Sequence, residues 1–469
     1  MKRIAYALVL LAAPAAAQPA EPPPAEPAEA PAEPPPDANA EATARMKALE
    51  ERLEKVEEEL EAQKDDNSYL EEKLGALLPL QNKISGYLDV GAFATTGNGA
   101  GTRSDLLSTY FPEYAGVVPG SWVFMGDPLS TAINSRGDVA DTGESRAITF
   151  DPINSGGNPT FLVNNLNLTL FSGIGETAQL NASVDFVPRA RDVSDPAGLF
   201  VGDYIDVKLA YGEWRPRIES FDLTLQAGKF DSVLGFEYRS LESPDRVGVT
   251  PSLICRYTCG RPIGLKARAR FLDEALVANV AVTNGSHFHE GFPFSNEIDQ
   301  NSLKTVAGRL SYQIAKKVEL GVSGAWGAQD FQPENDVRQW HWGADVHLEI
   351  EDLEVTAEVV HGRAKGQTTP GQARCDAAPC LVYTGGYVQV AYRLTNTFVP
   401  YARVDYRDAT HWAGASFVYI SDLGRATLGI RAEIGTRVIV KAEATKNEEL
   451  GVIPTIPNDV VTSSLVIRY

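Results

Sequence analysis

The chain has 469 residues and a formal net charge of −20 at pH 7, with 42 Lys and Arg against 62 Asp and Glu. A chain this acidic lacks the basic footprint that nucleic-acid binding requires, so nucleic acid is excluded as a partner. Beyond the N-terminal segment, no run of about eighteen apolar residues offers a spanning helix, which leaves spanning strands open.

At the N-terminus, Lys2 and Arg3 precede an apolar run from Ile4 to Ala13 and the small residues Ala15, Ala16 and Ala17. This order predicts an export signal over residues 1–17, cleaved before Gln18. Residues 18–44 are Pro, Ala and Glu in repeated units. They cannot bury a core and predict an extended, disordered linker. Over residues 45–80, apolar side chains recur at Met46, Leu49, Leu53, Val56, Leu60, Leu70, Leu74 and Leu77, with Gln63 and Asn67 in the missing seam positions. Alternating steps of three and four predict a self-associating α-helical coiled coil. At ~1.5 Å per residue the rod would be about 50 Å long.

From Lys83 to Tyr469, segments of about ten residues alternate apolar with polar or small side chains, which predicts an all-β fold, a transmembrane antiparallel β-barrel. Leu180, Ala182, Val184 and Phe186 oppose Asn181, Ser183 and Asp185; Trp340, Trp342, Ala344, Val346, Leu348 and Ile350 oppose His341, Asp345, His347 and Glu349. Short connections (272–274, 315–317, 395–397, 435–436) alternate with long polar ones (96–158, 232–261, 285–302). A soluble β-sandwich would carry loops of similar length at both ends. The count is about sixteen strands, with both chain ends at the short-turn, periplasmic side. In the last segment Val461, Ser463, Leu465, Ile467 and Tyr469 share one face. It resembles the terminal strand read by outer-membrane barrel-assembly machinery.

Four cysteines form two close pairs, Cys255 with Cys259 and Cys375 with Cys380. Export places them in an oxidising compartment, and local disulfides are expected in preference to zinc. The segment Pro262 to Phe271 carries Lys266, Arg268 and Arg270 on one face, which lipid would reject. They are expected to line the lumen, either as an anion path or as a wall balanced by neighbouring carboxylates. The loop 232–261 adds Arg239, Arg246, Arg256 and Arg261. It either folds into the lumen as a constriction or covers the outer mouth. No nucleophile elbow, phosphate loop, metal-ligand set or cofactor motif is present, so no enzyme activity and no cofactor are expected.

Gln226-Ala227-Gly228-Lys229-Phe230, then Leu234-Gly235-Phe236-Glu237, resembles the strand-and-loop segment of phosphate-selective (O/P-type) porins and related β-barrel porins. The resemblance implies a sixteen-stranded trimeric channel in the outer membrane with a periplasmic coiled coil. The function expected is passive diffusion of small hydrophilic solutes and ions, with an anion preference. The alternative is a structural anchor that tethers the membrane to peptidoglycan through the coiled coil.

Overall fold

The computed structural model describes residues 83–96, 123–125, 158–186, 205–285, 299, 301–328, 335, 338–364, 381–413, 417–450 and 459–469. In the N-terminal unit it describes Lys47, Arg52 and Lys55, all helical. The export signal, the linker, the rest of the coiled coil, the Cys375 and Cys380 pair and the Arg256 side chain lie outside the described residues.

Sixteen long strands follow one another: β1 (Ile84–Thr95), β2 (Thr160–Ile174), β3 (Ala178–Phe186), β4 (Ile205–Trp214), β5 (Asp222–Lys229), β6 (Ile263–Phe271), β7 (Leu276–Thr283), β8 (Thr305–Ile314), β9 (Val318–Ala328), β10 (Arg338–Ile350), β11 (Leu353–Ala364), β12 (Leu381–Tyr392), β13 (Phe398–Ala413), β14 (Phe417–Ile434), β15 (Val438–Glu449) and β16 (Val460–Arg468). Each pairs antiparallel with the next. β1 also pairs with β16, for example Leu88 opposite Ile467, so the sheet closes on itself and has no free edge among these strands. A three-residue strand, Val123–Met125, lies parallel to the start of β14.

The burial pattern is inverted relative to a water-soluble sheet. Leu180, Trp342, Val346, Val359 and Val404 point outward and are exposed, whereas Asp185, Asp345, Arg407, Arg425 and Lys441 point inward and are buried. Only a hydrocarbon solvent outside and a polar interior make this arrangement favourable. Aromatic side chains mark both ends of the outer face. Trp326, Trp340 and Trp342 lie at the long-loop end, and Trp214, Tyr312, Tyr392 and Phe398 at the short-turn end.

The turns at that end are tight. Leu272, Asp273, Glu274, Ala315, Lys316 and Glu351 adopt positive φ, as do Gly175 and Gly435. Such turns match the right-handed twist of the flanking strands. One connection departs from the expected alternation. Only residues 414–416 join β13 to β14 at the long-loop end, because these strands run to 16 and 18 residues themselves.

Candidate functional site: the lumen and its inward loop

β5 has only 8 residues, and its ladder with β4 stops at Lys229 opposite Ala210. There the chain leaves the wall and turns into the barrel. Gly228 has φ 131°, and a Cβ on it would lie 2.2 Å from the Ala210 carbonyl, so only glycine fits at this exit. Residues 230–262 then cross the lumen before rejoining the wall at β6.

The first leg of the loop rests on small inward side chains. Phe230, Val233 and Leu234 pack on Ala281 of β7 and Ala307 of β8. Glu358 of β11 grips the next turn, accepting the backbone N–H groups of Phe236 at 2.9 Å and Glu237 at 3.2 Å. Gly235 sits there with φ 67°, and a Cβ would overlap the Glu358 carboxylate. Arg239 reaches the wall between these strands and forks onto Glu319 of β9 at 3.0 and 2.9 Å.

Glu242 marks the middle of the loop. Its carboxylate accepts from Tyr87 of β1 at 2.6 Å, Lys208 of β4 at 2.7 Å and Arg261 at 2.8 Å. Burial pushes this carboxyl upward, but Lys208 and Arg261 outweigh it and hold the group down at about 2. Beyond Glu242 the wall of β13 to β16 bonds the loop backbone directly. Lys441 donates to the carbonyls of Ser243 and Gly248, Arg431 to those of Pro244 and Arg246, and Arg403 to those of Thr250 and Pro251. Glu443 accepts from the N–H groups of Val249 and Thr250, and Asp405 from Leu253. Glu237 returns within the loop to the Ser252 N–H at 2.7 Å, and burial raises its own carboxyl above the usual range.

The far leg ends in a one-turn helix, Cys255–Thr258, stapled by the Cys255–Cys259 disulfide with Cα atoms 5.0 Å apart. Glu237 lies beside the two sulfurs, but they are bonded to each other and offer no thiolate to a metal. Tyr257 stacks on Tyr383 of β12 at 3.7 Å between ring centroids.

The predicted cations separate into distinct roles. Arg261 is consumed by Glu242 and Asp231, and Arg239 by Glu319. Arg246 is buried against the β14 and β15 wall, far along the loop from Arg239, and gives its carbonyl to Arg431 and Lys441. Lys266 donates to the Asp231 carbonyl at 3.1 Å and lies over the Phe230 ring. Arg270 pairs with Glu274 in the adjoining turn. Among the described residues Arg268 makes no hydrogen bond or ion pair, and Arg270, Arg239 and Glu319 are charges around it. Sequence reasoning missed Arg309, Arg403, Arg407, Arg425 and Lys441, whereas the alternation of 426–434 already sets Arg431 opposite the apolar face. Each stands at an inward-parity position of its strand, the signal by which period two would have found it.

The family model described as "Putative beta-barrel porin-2, OmpL-like" matches residues 153–458. The chain belongs to this family. It is thus a porin-class β-barrel of the outer membrane. Among solved structures, the outer-membrane channel DcaP of Acinetobacter baumannii is 10% identical with TM-score 0.49, covering 82% of this chain and 96% of that one. OmpF of Salmonella typhi, solved with daunomycin, is 10% identical with TM-score 0.48, covering 82% and 97%. A loop-deletion mutant of Vibrio cholerae OmpT is 10% identical with TM-score 0.45, covering 82% and 98%. No curated protein matches the chain.

Proposed function

We propose that this OmpL-like porin is an anion-preferring diffusion channel for small hydrophilic solutes and ions, with residues 230–262 as its constriction. One observation carries the reading. The lumen carboxylates near the loop are already engaged: Glu358, Glu443 and Asp405 by loop N–H groups, and Glu319 and Asp345 by arginines. Among the described residues, Lys266 and Arg268, by contrast, have no carboxylate partner. A mobile anion therefore meets two cations that lack a carboxylate, whereas a cation meets carboxylates whose oxygens are engaged by loop N–H groups or by arginines.

Three finer features belong to the same reading. The barrel works as a homotrimer, supported by an outward face on β2 to β6 where Ala182, Ala210, Gly212, Ala227 and Ala267 leave shallow apolar grooves for close packing. The coiled coil of residues 45–80 extends into the periplasm, on the side where β1 begins and the short turns lie. Barrel-assembly machinery recognises the strand that closes on β1, β16. The test is the reversal potential of the purified full chain in a planar bilayer under a salt gradient. An anion-selective potential that moves toward zero in Lys266→Gln/Arg268→Gln supports the reading, and cation selectivity overturns the anion preference. Folded, inserted protein without current would favour the anchoring role instead.

A further inference from the structure

Three inward side chains stand next to one another in the wall beneath the first leg of the loop. Register pairs Arg268 of β6 with Asn279 of β7, and Asn279 with Arg309 of β8. At ~4.8 Å between strands, the two arginine Cα atoms are about 10 Å apart, with the amide between them. Asn279 is 2% exposed, and neither its amide nitrogen nor its amide oxygen has a partner among the described residues. Buried amides with both groups unmatched are rare in folded proteins and call for an explanation. Arg309 gives Nε and Nη2 to Asp345 and Glu319, while its Nη1 is unmatched. Nε of Arg268 is buried without a partner, and its guanidinium bonds no group among the described residues.

From these groups we infer a binding site for a small 2-hydroxy monocarboxylate, built from Arg268, Asn279 and Arg309. The inference rests on the channel reading above and names a solute class for it. Charge sets the valence. Arg239 and Arg309 are matched by Glu319 and Asp345, and Arg270 by Glu274, which leaves Arg268 as the unmatched guanidinium of the group. Within the row that is one surplus positive charge, which suits a monoanion better than a dianion; the Lys266 ammonium, two residues along β6, is bonded to the Asp231 carbonyl. Geometry sets the head group, since a guanidinium fork bonds both oxygens of a carboxylate in its plane. Asn279 sets the rest. Its amide both donates and accepts, so it matches a ligand that presents a hydroxyl next to its carboxylate. Phe230, Val233 and Leu234 pack on Ala281 and Ala307, two residues from Asn279 and Arg309 along the same strands.

The test uses the purified full chain with sodium lactate, sodium acetate and inorganic phosphate as probes, read by isothermal titration calorimetry and by block of the KCl current. Lactate is expected to bind about tenfold more tightly than acetate, the difference that bonds to one hydroxyl can supply. Asn279→Asp places a carboxylate between the guanidiniums and should abolish lactate binding in a barrel that keeps its heat-modifiable mobility. Arg268→Gln should weaken lactate at least tenfold. Equal binding of lactate and acetate, tighter binding of phosphate, or an unchanged affinity in both folded variants would overturn the site. The two readings fail separately. Anion current without lactate preference removes the site and keeps the channel. Lactate binding without current keeps the site and removes the channel.

Discussion

Gly235 illustrates how much a single residue decides here. It holds the backbone at φ 67° where the Glu358 carboxylate closes on the loop, so it has two reasons to lack a Cβ. Gly235→Ala combines left-handed strain of about 1 kcal/mol with a clash that pushes Glu358 off the Phe236 and Glu237 N–H groups. The expected outcome is a folded barrel with larger and noisier single-channel conductance. Unchanged conductance would show that this grip does not hold the constriction. Glu242 is the second such residue. Its carboxyl is depressed to about 2 in the folded loop, against about 4.3 for a free glutamate. The stabilisation it supplies is complete above the unfolded value and is lost as pH falls from about 4.3 through about 2. Current recordings should therefore grow noisy across that acid window. Glu242→Gln, which takes one carboxylate from buried Lys208 and Arg261 and leaves them Asp185 and Asp231, should be noisy at neutral pH already and cost about 1.5–3 kcal/mol of loop docking. A quiet variant at pH 7 would refute the anchor.

At the scale of the element, the loop 230–262 is held along its middle by charged wall residues that bond its backbone, and at its two legs by apolar packing on the wall. Arginine and lysine take carbonyls, and Glu358, Glu443 and Asp405 take N–H groups, so its path depends on the main chain more than on loop side chains. The disulfide closes a sequence separation of 4, for which loop-closure entropy gives about 2 kcal/mol. Cys255→Ser/Cys259→Ser should speed hydrogen exchange over residues 250–262 by an order of magnitude or more and leave the β-strands protected. Equal exchange would mean that the wall contacts alone hold this leg. The same element explains the motif read in the sequence. Gly228 sits at the exit from β5 and Gly235 under Glu358, so the porin-like Gly-Lys-Phe and Leu-Gly-Phe-Glu segments encode loop exit and docking rather than contacts to a particular anion.

For the whole molecule, folding replaces water with lipid outside and confines the charges within. Val359 lies near the middle of β11, outward and exposed. Val359→Arg is expected to destabilise the barrel by about 2–4 kcal/mol in vesicle-folding titrations, because the cation faces hydrocarbon. Substituting an inward residue with a similar charge, as in Ser311→Arg, should cost less through solvation and act on ion selectivity instead. Equal penalties at the two sites would contradict the assignment of faces.

Period-two alternation and the spacing of turn residues by themselves determined the barrel, its sixteen strands and the shared side of its ends. These are local properties, since a strand's inward and outward faces follow from parity alone. The cations Lys266, Arg268 and Arg270 were legible in the same way. Their partners were not. Whether Arg239 meets Glu319, 80 residues on, or Arg261 meets Glu242 depends on barrel closure and on the path of a loop whose wall anchors lie up to 198 residues away in sequence. Sequence left the loop's path open between lumen and mouth, and the tertiary structure decided it through inward-facing side chains on strands β9 to β16. The physical reason is that ion pairing and desolvation are set by distance in three dimensions, whereas the pleat of a strand is set by its next neighbour.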